Sequence, residues 1–128
     1  MTKTILVVDD ETDVQLTLRI VLETAGHRVI EATSGEEALA LIAASAPDLI
    51  VLDLVLPGMS GWETLETLRT RAMAEIPVIV VSATADAHLQ TVADGFGCRA
   101  LFPKPFSAEE LRMKVSDILG AAYSRGTA

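Results

Sequence analysis

The chain has 128 residues, the length of one ordinary domain, enough to bury roughly two-thirds of the surface that its unfolded form exposes. Its formal charge of −8 argues against direct nucleic-acid binding, which takes clustered Lys and Arg against the phosphate backbone. Half of the residues are apolar, yet charges or Pro break every apolar run short of the ~18 residues that a membrane span needs. The opening MTKTILVVDD lacks the cleavage region of a secretory signal, so a soluble, cytoplasmic domain with no membrane partner is expected. The single cysteine, Cys98, excludes an internal disulfide and a multi-cysteine metal site and reads as a small buried hydrophobe.

In chain order, five apolar, β-branched stretches alternate with five segments of helical spacing. TILVV (4–8) is followed by a helix over Asp13 to Ala25, with Val14, Leu18, Val21, Leu22 and Ala25 on one face and Gly26 as its stop. RVIEA (28–32) leads to a helix that opens with the capping box Ser34-Gly-Glu-Glu37 and turns Ala38, Leu41 and Ile42 inward. LIVLD (49–53) runs through a Pro-Gly loop into a helix opening Ser60-Gly-Trp-Glu63, and PVIVVS (77–82) precedes a helix over about Asp86 to Asp94. RALF (99–102) precedes the fifth helix, which opens Ser107-Ala-Glu-Glu110 and carries Leu111, Val115, Ile118 and Leu119 inward. A domain over 1–120 followed by a frayed tail, 121–128, is expected.

Regular alternation of strands and helices predicts an α/β fold with a parallel sheet covered on both faces. Strands one, three and four are continuous apolar runs, as central parallel strands are. Strand two is half-polar and strand five runs into Pro103, so both belong at edges. The order 2-1-3-4-5 satisfies these constraints, giving a flavodoxin-like, doubly wound, five-stranded sheet with five helices.

Ligands of such sheets sit beyond the carboxyl ends of the strands where the order reverses, here between strands one and three. Those strands end in Asp9, Asp10 and Asp53, with Glu11 just beyond; Ser82 ends strand four and Lys104 follows strand five. Carboxylates crowded together raise one another's pKa unless a cation intervenes, and Mg2+ prefers a few such oxygens with water and phosphate completing its shell. Asp10 and Asp53 are the expected direct ligands, Asp9 binds directly or through water, and Val55 offers its backbone carbonyl. A carboxylate can also accept a phosphoryl group, given positioning and charge stabilisation. Asp53 is the natural acceptor, with the Ser82 hydroxyl and Lys104 ammonium at the phosphoryl oxygens. Each residue has an ordinary reading alone: Asp9, Asp10 or Asp13 as a helix cap, Asp53 as a turn residue, Ser82 as a strand-end hydroxyl, Lys104 as a solvated lysine. Capping and turn chemistry do not require all of them at strand ends. His27, His88 and Trp62 read as packing or surface residues.

With these residues in place the sequence resembles the receiver domain of two-component response regulators, from Ile5 to Leu119. The resemblance rests on Val8-Asp9-Asp10-Glu11, on Asp53-Leu-Val-Leu-Pro57-Gly-Met-Ser-Gly61, on Ser82-Ala83, and on Lys104-Pro105 followed by Phe106. It implies a cis peptide before Pro105. It also implies that a sensor histidine kinase or phosphotransfer protein donates to Asp53 with Mg2+ bound, with Ser82 then moving toward the phosphoryl group. The surface of helix four, strand five and helix five would then switch among partners, including a downstream effector protein, a fused output domain or, as a homodimer, a second copy. Slow autodephosphorylation is the only chemistry implied beyond this. Three residues before Lys104, where many members carry Tyr or Phe, stands Leu101; Phe102 should face the other side of the strand. Leu56 replaces the usual Met, and Pro103 before Lys104 is unusual for the family.

Two other classes fit parts of the pattern. A metal-dependent phosphatase resembling the haloacid-dehalogenase-like hydrolases would use an Asp nucleophile on a related fold, but strand one ends Asp9-Asp10 rather than Asp-x-Asp and no cap segment is present. A phosphorylation-independent interaction module would not need the five site residues together. The sequence has no helix-turn-helix after helix five, which leaves a regulator acting alone by docking and a module of a longer chain as the two readings.

Overall fold

The computed structural model describes residues 2–71, 75–84 and 86–127, with side chains as far as residue 120. Strands β1 (Thr4–Val8), β2 (Arg28–Ala32), β3 (Leu49–Asp53), β4 (Val78–Ser82) and β5 (Ala100–Pro103) alternate with α1 (Thr12–Thr24), α2 (Gly35–Ala44), α3 (Gly61–Thr70), α4 (Ala87–Gly95) and α5 (Ala108–Thr127). They form one parallel sheet in the order β2-β1-β3-β4-β5, the flavodoxin-like arrangement that the strand patterning predicts. Every residue of β3 and β4 is buried, whereas β2 and β5, at the edges, keep half-buried or exposed positions. Pro103 closes edge strand β5, where a missing N–H is tolerated.

Strand alternation splits the core into two layers. Leu6, Val8, Ile50, Leu52, Val78 and Val80 face Ala38, Ile42, Leu65 and Leu68 of α2 and α3, with Leu89 of α4 packed against the same layer. Ile5, Val7, Leu49, Val51, Ile79 and Val81 face Leu18 and Leu22 of α1 and Leu111, Val115 and Leu119 of α5. Leu101 joins the first layer and Phe102 the second, so the aromatic ring of β5 lies on the far side from the position occupied by Leu101.

Polar caps set the helix starts. Ser34 and Ser60 accept hydrogen bonds from the backbone N–H groups of Glu37 and Glu63, and Ser60 with Glu63 closes a full capping box. Asp86 caps α4 through Leu89 N–H at 2.8 Å, and Ser107 Oγ accepts Glu110 N–H. Helix α1 differs from its predicted form. Its N-cap is Glu11, which makes no side-chain cap bond, so none of Asp9, Asp10 or Asp13 holds that position. Its buried residues are Gln15, Leu18 and Leu22; Val14 and Val21 are half-buried, and Ala25 is exposed beyond the helix end. Helix α5 runs from Ala108 to Thr127.

Gly61 fixes how α3 meets the sheet. A methyl group on it would lie 2.4 Å from the Asp53 carbonyl oxygen and 2.5 Å from Leu54 Cα, while its N–H donates to the Leu54 carbonyl at 3.0 Å. The first turn of α3 therefore rests on the backbone that carries Asp53. Gly95, by contrast, has open space around it. Gly61→Ala is expected to lower stability by about 1–3 kcal/mol through overpacking against backbone, whereas Gly95→Ala should be neutral or stabilising by up to about 1 kcal/mol. Urea denaturation of the two variants checks the contrast.

Candidate functional site

The carboxyl ends of β1, β3 and β4 and the residues after β5 meet above the sheet. Asp9 is 1% exposed and Asp53 3%, while Asp10 faces solvent. One ligand oxygen from each lies within 4.8 Å of the others. Lys104 reaches back over them: its Nζ is 2.8 Å from Asp53 Oδ2, 2.8 Å from Glu11 Oε1 and 3.0 Å from Asp9 Oδ2. The Lys104 N–H donates to the Ser82 carbonyl at 2.7 Å, which ties the lysine backbone to the end of β4. The Lys104–Pro105 peptide is cis, as the resemblance implies.

The remaining bonds hold the acids in fixed orientations. Asp9 Oδ1 accepts the Glu11 N–H at 2.8 Å and Asp53 Oδ1 the Val55 N–H at 3.1 Å. Asp9 Oδ2 is buried without a hydrogen-bond partner, since Lys104 approaches it as an ion pair but not in hydrogen-bonding geometry. Burial, above all, raises the Asp9 carboxyl above its ordinary value of 3.8; the Glu11 N–H and the Lys104 ammonium oppose this and the Asp53 charge adds to it. Burial disfavours the charge on Lys104, but its bonds to Asp53 and Glu11 and its ion pair with Asp9 outweigh that and hold the ammonium above its ordinary value.

This donor set fits a hard divalent cation. It is all oxygen, it contains a buried carboxylate oxygen lacking a hydrogen bond, and the solvent-facing Asp10 opens on a cleft of about 480 Å³ that Asp53, Val55, Leu56 and Pro57 also line. Ser82 is buried beside the acids, but its hydroxyl is turned away from Asp53: it donates to the Thr84 carbonyl and accepts the Thr84 N–H, both at 3.1 Å. Of the residues singled out in the sequence, Asp9, Asp10, Asp53 and Lys104 are thus brought together, Val55 borders the cleft, and the Ser82 hydroxyl is bonded to Thr84 instead.

Gln15 was not among the site residues expected. It is a buried polar residue on the apolar face of α1, and its Nε2 donates to the carbonyls of Asp9 at 2.7 Å and Ala32 at 3.0 Å, pinning the ends of β1 and β2. A polar residue at spacing 15, 18, 22 within an apolar stripe was the available signal. Trp62 is partly buried and stacks on Phe96 with ring centroids 5.6 Å apart. Cys98 is partly buried, and burial pushes its thiol up to about 11, against the pull of Arg69, which makes it a packing residue and a poor nucleophile.

A family model described as the response regulator receiver domain matches residues 5–116. The chain belongs to that family. Among curated relatives, this receiver domain is 38% identical over 119 residues to PhoP, the alkaline phosphatase synthesis transcriptional regulatory protein of Bacillus subtilis, covering 93% of the chain and 49% of PhoP. It is 40% identical over 124 residues to the transcriptional regulatory protein KdpE of Mycobacterium tuberculosis, covering 97% of the chain and 52% of KdpE. Among solved structures, the receiver domain of Francisella response regulator 1452 superposes with a TM-score of 0.88 at 29% identity, covering 94% of the chain and 98% of that structure. The receiver domain described here spans about half the length of the curated relatives it matches. Among its described residues no helix is long and apolar enough to cross a membrane.

Replacing Lys104 with Met leaves Asp53 and Asp9 buried without their cation, so Lys104→Met is expected to lose about 1–3 kcal/mol of stability in metal-free buffer, with part recovered on adding Mg2+. Because the Asp9 carboxyl is raised in the folded state, that state binds its proton more tightly than the unfolded chain does. Its contribution to stability is largest below the ordinary carboxylate value and declines as pH rises through the raised one. Urea melts from about pH 4 to 7 should show wild type losing ground to Asp9→Asn over that interval.

Proposed function

We propose that this receiver domain is a phosphorylation switch in which Asp53 accepts a phosphoryl group from the phosphohistidine of a sensor histidine kinase or phosphotransfer protein. The observation that carries the reading is Asp53 itself. It is buried at the end of a fully buried strand, fixed through Oδ1 by the Val55 N–H, and bonded through Oδ2 to Lys104 at the edge of an open cleft. A carboxylate so held meets an incoming phosphorus with little loss of freedom, which is most of what phosphoryl transfer needs. A P–O bond forms to an Asp53 oxygen as the donor's P–N bond breaks, and the imidazole nitrogen keeps that electron pair and takes a proton from water.

Asp9, Asp10, Asp53 and the Val55 carbonyl would hold Mg2+. When bound, Mg2+ offsets the charge of these carboxylates and of the phosphoryl oxygens. Lys104 contributes a fixed ammonium at Asp53 Oδ2. Ser82 is the switch hydroxyl: leaving its two bonds to Thr84 for a phosphoryl oxygen draws in the loop after β4, and α4 follows that loop. Phosphorylation thereby biases two arrangements of the α4-β5-α5 surface, which a downstream effector, a fused output domain or a second copy reads. With Leu101 on the α4 side of β5 and Phe102 facing α5, no aromatic ring stands at the Leu101 position to follow the hydroxyl.

Intact-protein mass after acetyl phosphate treatment should show one added phosphoryl group that requires Mg2+ and is absent in Asp53→Asn. Ser82→Ala should still gain it while losing the accompanying change in α4 amide exchange. Retained labelling of Asp53→Asn would overturn the assignment of the acceptor.

A further inference from the structure

The ammonium of Lys104 is shared with Glu11, a residue outside the acceptor and metal set. Glu11 is the N-cap of α1, yet its side chain makes no cap bond; it extends instead to Lys104, Oε1 lying 2.8 Å from Nζ. Glu11 and Lys104 both border the cleft above Asp53 and also the neighbouring groove lined by Val14, Pro105 and Phe106, so their contact stands on the divide between the two. An ammonium has three N–H donors. One serves Asp53 Oδ2 and one serves Glu11, while Asp9 Oδ2, 3.0 Å away, receives no hydrogen bond at all. Two of the three donors are therefore committed, one of them to an exposed carboxylate, and the third is left beside the ion-paired Asp9.

We propose that Glu11 is a positioning residue for the phosphoryl reaction: it holds one N–H of Lys104 at the mouth of the cleft, and a phosphoryl oxygen on Asp53 must displace it to gain the full ammonium. This rests on the reading of Asp53 as the acceptor and sets how readily the phosphorylated arrangement is reached. The bond is charge-assisted but its carboxylate is largely solvated, so the opposing effect is modest, about two- to fivefold. Neutralising Glu11 removes the charge assistance and loosens its hold on the donor, leaving Asp9, Asp10 and Asp53 in place.

The test measures the rate of phosphoryl gain from acetyl phosphate with Mg2+ and the affinity for beryllofluoride, a phosphoryl mimic, in wild type, Glu11→Gln and Glu66→Gln. The last removes the same charge from an exposed site on α3. Glu11→Gln should raise both quantities about two- to fivefold and Glu66→Gln neither. The same pair is compared in a Lys104→Met background, where the effect of Glu11→Gln should vanish because it acts through the lysine. Should Lys104→Met fail to fold, competitive acetylation reads the same bond in proteins that keep the lysine: Lys104 should label about two- to fivefold faster in Glu11→Gln than in wild type. An unchanged Glu11→Gln, a gain that persists without Lys104, or unchanged Lys104 labelling would overturn the positioning role. Absence of phosphoryl gain in wild type would instead overturn the acceptor reading on which it rests.

Discussion

The site depends on a balance of charge between one ammonium and three carboxylates at the ends of a buried sheet. Lys104 lies within 3.0 Å of oxygens on Asp9, Glu11 and Asp53, and the first and last of these acids are almost wholly withdrawn from water. Without a cation nearby, two carboxylates in that setting would repel one another and resist ionisation. Lys104 offsets part of this, and the remainder, visible in the unbonded oxygen of Asp9, favours a divalent ion. The same imbalance that makes the site uncomfortable when metal-free makes it receptive.

The sheet turns this local chemistry into a property of the fold. Strands β3 and β4 are buried along their whole length, so Asp53 and Ser82 project from a layer that does not yield, and the Lys104 N–H is tied to the same layer through the Ser82 carbonyl. Around it stand groups with fewer ties: the Ser82 hydroxyl, bonded to Thr84, and the exposed end of Glu11. A buried floor with polar groups around its rim would suit the phosphoryl-accepting role proposed for Asp53.

Much of this was legible in the sequence because it follows from one-dimensional patterns. Uninterrupted apolar runs marked β1, β3 and β4 as central, and the polar residues of β2 and Pro103 after β5 marked the edges. Once the order was set, the strand ends brought Asp9, Asp10, Asp53 and Lys104 together without further assumption. The less legible parts depend on side-chain torsions and long-range bonds. The orientation of the Ser82 hydroxyl toward Thr84, the reach of Glu11 to Lys104 and the clasp of Gln15 on two strand ends have no periodic signature. The start of α1 was misplaced for a related reason: five acids or hydroxyls, residues 9–13, stand in a row there, and only tertiary contacts decide which becomes the cap.

Gly61 seats α3 directly on the carbonyl of Asp53, and the next residue, Trp62, stacks on Phe96 at the end of α4. The indole therefore links the first turn of α3, which rests on the backbone of β3, to the C-terminal end of α4. It is the only tryptophan in the chain. The molecule thus carries its own optical label, set between α3 and the end of α4 in unmodified protein.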